Sequence, residues 1–133
     1  MSRWILPASL FLVSLIAASS AARQQAAEQG HVHPELARVP AEARDRKNPY
    51  EDRADAVLAG GKLYRQHCAE CHGTDARGTG HAVNLRSRAV HDATPGELAW
   101  ILRNGNLAAG MPSWAGLPEQ RRWQIVSYLK SLH

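Results

Sequence analysis

Apolar residues open this chain as one unbroken run and then recur at the three- and four-residue steps of helices. The run extends from Trp4 to Ala22, between Arg3 and Arg23, and contains no charged residue. Residues 23–51 are polar and charged, with Pro34, Pro40 and Pro49 spaced through them. From Asp52 the pattern turns helical: Val57, Gly60 or Gly61, Tyr64 and Cys68 share one face, and Arg53, Asp55, Lys62 and Arg65 take the other. A glycine inside a helix costs about 1 kcal/mol relative to alanine. The pair Gly60-Gly61 therefore predicts that another helix approaches a patch bare of side chains. Residues 73–80 form a loop by composition. Thr94-Pro95-Gly96-Glu97 is a complete helix start, with an N-cap threonine, a proline in the first turn and a capping-box glutamate. The helix it opens buries Leu98, Ile101 and Leu102 and stops at Asn104-Gly105, a C-terminal turn. Gly110 to Trp114 is extended, because Pro112 biases the residue before it away from helix. Leu117-Pro118-Glu119 starts a last helix, in which Ile125, Tyr128, Leu129 and Leu132 make an apolar face flanked by Trp123 and Val126. With no internal repeat and no convincing strand, the fold class is all-α.

The N-terminal run has a short basic start, an apolar centre and small residues at Ser19-Ser20-Ala21-Ala22, so residues 1–22 read as a secretory signal peptide. The competing reading is an uncleaved anchor, since the run approaches the ~20 residues that span a bilayer. Pro7 and the polar end at Ser19-Ser20 favour cleavage, and the absence of a nearby cysteine excludes a lipid anchor there. Residues 23–51 follow as a polar linker or arm with little core of its own, and residues 52–133 as the folded domain. His31 and His33 in the arm lack a third ligand and a rigid frame, and read as solvated. The body of the protein is thus expected to be exported and periplasmic, and to meet a membrane only if the first segment stays uncleaved. The chain of 133 residues carries a formal charge of +4, but its Lys and Arg are scattered, with no run and no aromatic platform. That distribution excludes nucleic acid as a partner.

The two cysteines of the chain, Cys68 and Cys71, stand three positions apart, and His72 follows directly. This is the spacing of a c-type haem attachment site. Residues three apart on a helix lie about 5–6 Å apart at Cβ, which suits two thioethers to the two vinyl groups on one porphyrin edge. His72 then presents an imidazole to the iron. A thioredoxin-like pair would follow a strand, and none is patterned here. A structural zinc site needs further Cys or His ligands at ligand spacing, and there is no third cysteine. The expected cofactor is one covalently attached haem c. Opposite His72, Met111 is the natural ligand: Met1 belongs to the leader, and a Gly-Met-Pro stretch makes poor core. A thioether suits iron that cycles between two charge states, and Met/His ligation raises the potential. His81 or His91 would replace Met111 in a bis-histidine, lower-potential site, while His67 and His133 read as surface residues. Leu85 is the first apolar residue after the motif able to lie against the haem, and Leu98 is a second packing candidate. Trp100, Trp114 and Trp123 read as packing around the haem or as indole donors. Arg77, Arg86, Arg88 and Arg103 read as solvated positions that could also meet propionates or an acidic partner.

With Gly60-x-x-x-Tyr64-x-x-x-Cys68, then Cys71-His72-Gly73, then Met111-Pro112-Ser113-Trp114 and last the helix from Trp123 to Leu129 in that order, residues 55–132 resemble a small class I monohaem cytochrome c. The resemblance implies a bundle of three to four helices around one haem. It also implies attachment through Cys68 and Cys71, and iron held by His72 and Met111. It sets Gly60 and Tyr64 against Ile125 and Tyr128 at a close crossing of first and last helices. The family commonly has proline two places before the leucine matching Leu85, with a carbonyl that accepts from the proximal imidazole; this chain has Val83 there. The function expected is single-electron transfer between redox partner proteins, without catalysis: the iron has no open position, and no nucleophile–base pair, carboxylate pair or phosphate loop is present. The alternatives are a dedicated haem subunit of one oxidoreductase, with the arm docked on that enzyme, and a sensor or peroxidase-like protein with an open axial site.

A domain of this size sits where a lone apolar core is marginal and a staple is needed. The haem-free chain is expected to be largely unfolded or molten, which circular dichroism checks: a cooperative, native-like melt of apoprotein would contradict it.

Overall fold

The computed structural model describes residues 34–80 and 82–132. The leader or anchor at 1–22, the first part of the arm with His31 and His33, and the candidates His81 and His133 lie outside the described residues. Among the described residues the helices are α1 (Pro34–Ala37), α2 (Ala41–Arg44), α3 (Ala54–His67), α4 (Ala69–His72), α5 (Arg88–Asp92), α6 (Pro95–Asn104) and α7 (Glu119–Lys130). A 3-10 turn at Leu107–Ala109 stands between the last two. There is no strand among these residues, only an isolated bridge pairing Asn106 with Met111. The three long helices α3, α6 and α7 are the ones that the sequence pattern announces. The capping box of α6 is complete: Thr94 Oγ1 accepts from Glu97 N at 3.2 Å, and Glu97 Oε2 accepts from Thr94 N at 2.7 Å.

Helices α3 and α7 cross at Gly60. A Cβ placed there would lie 1.9 Å from Gln124 O and 2.9 Å from Tyr128 Cβ, so the crossing exists only because position 60 has no side chain. One turn on, Tyr64 is fully buried and its ring packs on that of Tyr128, with centroids 5.2 Å apart. Ile125 and Val126 are buried as deeply. The crossing expected from the glycine pair is therefore present, with one shift in the pattern. The buried stripe of α3 begins at Ala56, while Val57 is half-buried and Leu58 is exposed.

On α7 the expected face is too narrow. Trp123, Ile125, Val126, Ser127 and Leu129 are all buried, while Tyr128 is only half-buried. The reason lies in residues 34–51, expected as a polar linker or arm with little core of its own. This stretch is folded against the domain. Asn48, 6% exposed, donates from Nδ2 to Ser127 Oγ at 2.8 Å and accepts from Tyr50 N at 2.9 Å. Val39 is buried, and Ala43 O approaches α6 so closely that a Cβ on Gly96 would lie 1.9 Å from it. Proline spacing and charge hid a segment whose docking rests on backbone contacts, on buried Val39 and Asn48, and on the side chain of Arg44. The short helix α5, which buries Val90, likewise has no periodic signal behind it.

Gly60→Ala should destabilise the holoprotein by about 1–3 kcal/mol, the usual cost of overpacking, because backbone must move to admit the methyl group. Gly116, with nothing within 4 Å of its Cβ position, is the control, and Gly116→Ala should leave the denaturation midpoint in place. Chemical denaturation of both variants checks the pair.

Candidate haem-binding cleft

The end of α3 delivers the attachment motif. Cys68 N donates to Tyr64 O at 2.8 Å, and Cys68 then caps α3 and starts the single turn α4. Within that turn Cys71 N and His72 N both donate to Cys68 O, at 3.2 and 2.9 Å, so the two thiols stand one helical turn apart. Cys68 is half-buried and Cys71 is exposed. Burial pushes the Cys68 thiol up to about 11, and the neighbouring Cys71 adds to the shift.

After α4 the chain folds back over the histidine. Gly73 leaves the helix at φ +79°, and its carbonyl accepts from Tyr64 Oη at 2.6 Å. Burial raises the Tyr64 phenol well above its ordinary range, so it stays a donor. Gly78 N donates to His72 O at 2.9 Å, Leu85 N to Ala76 O at 2.9 Å, and Arg86 Nε to Asp75 O at 2.7 Å. Thr79 Oγ1 donates to Cys71 O. At Gly78, φ +85°, a Cβ would fall 2.4 Å from Ala82 O, so the returning loop passes where only glycine leaves room. These bonds bring Val83 O to 3.1 Å from His72 Nδ1. Val83, at the place where the resemblance implies proline, thus keeps the carbonyl contact, with loop hydrogen bonds rather than a pyrrolidine ring holding it. A histidine whose Nδ1–H donates has its Nε2 lone pair free for a metal.

The methionine is held by a second loop, beyond α6. Asn106 and Met111 exchange backbone hydrogen bonds of 2.9 and 3.0 Å across the 3-10 turn. Trp114 N donates to Leu102 O at 2.9 Å and Ser113 Oγ to Arg103 O at 2.6 Å, which fastens the far side of Pro112 to the end of α6. Gly105 is more than a C-terminal turn. Its φ is +70°, and a Cβ there would lie 2.6 Å from Pro112 C. His67, expected at the surface, is half-buried with its ring 5.1 Å from that of Trp114.

Cys68, His72, Leu85, Leu98 and Met111 all line one apolar cleft, floored by Tyr64 and Ile125. Cys71 does not line it. The alternative ligand His91 is exposed, stands 3.4 Å from Asp92 and is not part of the cleft. Trp100 and Trp123 border a different hollow with Arg103, and Trp123 Nε1 donates to Glu119 at 3.3 Å. Arg77 and Arg88 pair with Asp75 and Asp92, at 3.6 and 3.2 Å. No group of three or more His, Cys, Asp or Glu among the described residues could hold a bare metal ion. The donor set is an imidazole and a thioether in apolar surroundings, which fits a porphyrin iron and not a solvated cation. Leu36 and Glu35 also line the cleft, which the sequence reading missed. An apolar residue two places after Pro34, with Val39 three places further on, was the only signal.

Gly105→Ala should force the Met111 loop away from α6, because both the positive φ and the contact with Pro112 oppose a side chain. The expected result is a weakened methionine–iron charge-transfer band in the oxidised holoprotein, read by absorption against Gly110→Ala. Gly110 also has positive φ, but its Cβ position is open.

The family described as cytochrome C oxidase, cbb3-type, subunit III matches residues 55–129. Cytochrome c550 of Pseudomonas aeruginosa is 32% identical over an alignment that covers 95% of this chain and 89% of that protein. No solved structure matches the chain. The chain therefore belongs to this cytochrome c family, as a single-haem electron-transfer protein with covalently bound haem c.

Proposed function

We propose that this cytochrome passes electrons singly between two protein partners in an exported, periplasmic compartment and catalyses no reaction of its own. Cys68 and Cys71 would hold the haem as thioethers, and His72 and Met111 would be the axial ligands. Leu85 and Leu98 would pack on its faces. The observation that carries this reading is that His72 and Met111 open into the same apolar cleft, with His72 Nδ1 3.1 Å from Val83 O.

Bound haem supplies a one-electron iron couple. The protein's part is to hold the ligands and keep water out. Val83 O fixes the imidazole's tautomer and its rotation, and strengthens the ring as a ligand. The Asn106–Met111 bridge and the Gly105–Pro112 contact hold the thioether against the end of α6. Leu85, Leu98 and Leu102 line the cleft with hydrocarbon, a medium that favours the less charged state of a redox centre. With His72 and Met111 both holding the iron, no position would be left on it for a substrate, which supports a carrier over a sensor or peroxidase. Partner contacts of such carriers are small and transient. No helix among the described residues is long and apolar enough to cross a membrane.

The second reading, a haem subunit of a larger oxidoreductase, is favoured by the description of the matching family, which names an oxidase subunit. The arm would then be the docking element. Its residues 34–50 are packed on the chain's own core instead, which supports the free carrier.

Met111→Ala should abolish the sulfur-to-iron charge-transfer band of the oxidised protein and lower its midpoint potential. An unchanged spectrum and potential would remove Met111 from the ligand set. Purification from a host that attaches haem, followed by denaturation and mass measurement, tests the thioethers, since a haem that stays on the denatured chain is covalent.

A further inference from the structure

One wall of the cleft comes from ahead of the first long helix. Leu36, half-buried, lines the cleft that holds His72 and Met111 and packs on the apolar core. Its position is built rather than incidental. Arg44 reaches back from α2, donating from Nη2 to Leu36 O at 3.0 Å and from Nε to Val39 O at 3.1 Å. The same guanidinium stands 3.5 Å from Glu97 Oε1 in the first turn of α6. Thr94 Oγ1, the N-cap of α6, donates to Arg44 O at 2.9 Å. Gly96 completes the seat, since any side chain there would run into Ala43 O. The N-terminus of α6 is thus shaped to receive α2, and Arg44 ties α1 to both.

Ordering a segment of this length costs roughly 1–2 kcal/mol per residue in backbone entropy alone. A tether would not be held this way. What the ordering achieves is local: it sets Leu36, with Glu35 beside it, against the cleft. We propose that residues 34–46 are a latched wall of the haem cleft, in which Leu36 excludes water from the haem and keeps its potential high. The proposal rests on the reading that haem lies between His72 and Met111. Its physical basis is charge. The oxidised iron carries one more positive charge than the reduced, so water or a polar group near it favours oxidation, and hydrocarbon opposes it.

The test is redox titration of full-length holoprotein carrying Leu36→Gln, Leu36→Ile or Arg44→Gln, with the methionine charge-transfer band recorded alongside. Leu36→Gln should keep the band and move the oxidised-to-reduced ratio at a given potential toward oxidised by up to about tenfold, ~59 mV for a one-electron couple. Leu36→Ile should hold the wild-type potential. Arg44→Gln should lower the potential in the same direction and speed amide hydrogen exchange over residues 35–39. An unchanged potential in Leu36→Gln overturns the proposal, as does an equal shift in Leu36→Ile. Loss of the band in Leu36→Gln overturns it too, because Leu36 would then be bracing the ligand loop. A wild-type protein without the band would instead sink the axial assignment.

Discussion

The missing side chain at Gly60 is the constraint from which the rest of the molecule follows. With Gln124 O only 1.9 Å from where a Cβ would be, α3 and α7 meet backbone to backbone. That contact fixes Tyr64 and Ile125 as the floor of the cleft. It also aims the C-terminal end of α3, where Cys68 begins the attachment turn. The usual cost of a helical glycine is offset by a packing arrangement that no larger residue allows.

The cleft is apolar, but the framework around it is polar and largely backbone. His72 is oriented by a carbonyl, the loop under it by Gly78 N, Leu85 N and Arg86, and Met111 by paired bonds to Asn106. Three further glycines, at 78, 96 and 105, stand where another stretch of main chain passes too close for a side chain. The same device recurs around the site: a small residue admits a backbone, and the backbone positions a ligand or a wall. Such bonds place each donor without bringing a charge into the cleft. That matters at a site where burying an unpaired charge would cost several kcal/mol.

The N-terminal wrap shows how one buried amide can commit a polar segment. Asn48 is almost fully enclosed, and with Ser127 and Tyr50 it satisfies itself entirely within the protein. A buried amide without those partners would cost about 1–3 kcal/mol, so the segment has one register on α7. This is why Trp123 and Ser127 are buried on a side of α7 that its apolar periodicity leaves open.

Cys68, Cys71 and His72 were legible from spacing alone, because thioether chemistry demands a fixed interval along one turn. The start of α6 was legible in Thr94 and Glu97 because a capping box is local, and the helix crossing in the expense of Gly60-Gly61. Met111 stood out by its ligand chemistry, and the structure sets it in the same cleft as His72. What the chain could not declare by itself were the features made by distant backbone: the carbonyl of Val83 over His72, the close pass at Gly105, and the docking of residues 34–51. Carbonyls carry no sequence mark, and a glycine that admits another segment looks the same as one in an ordinary turn. Those arrangements depend on which segments meet in space, and only the tertiary structure decided them.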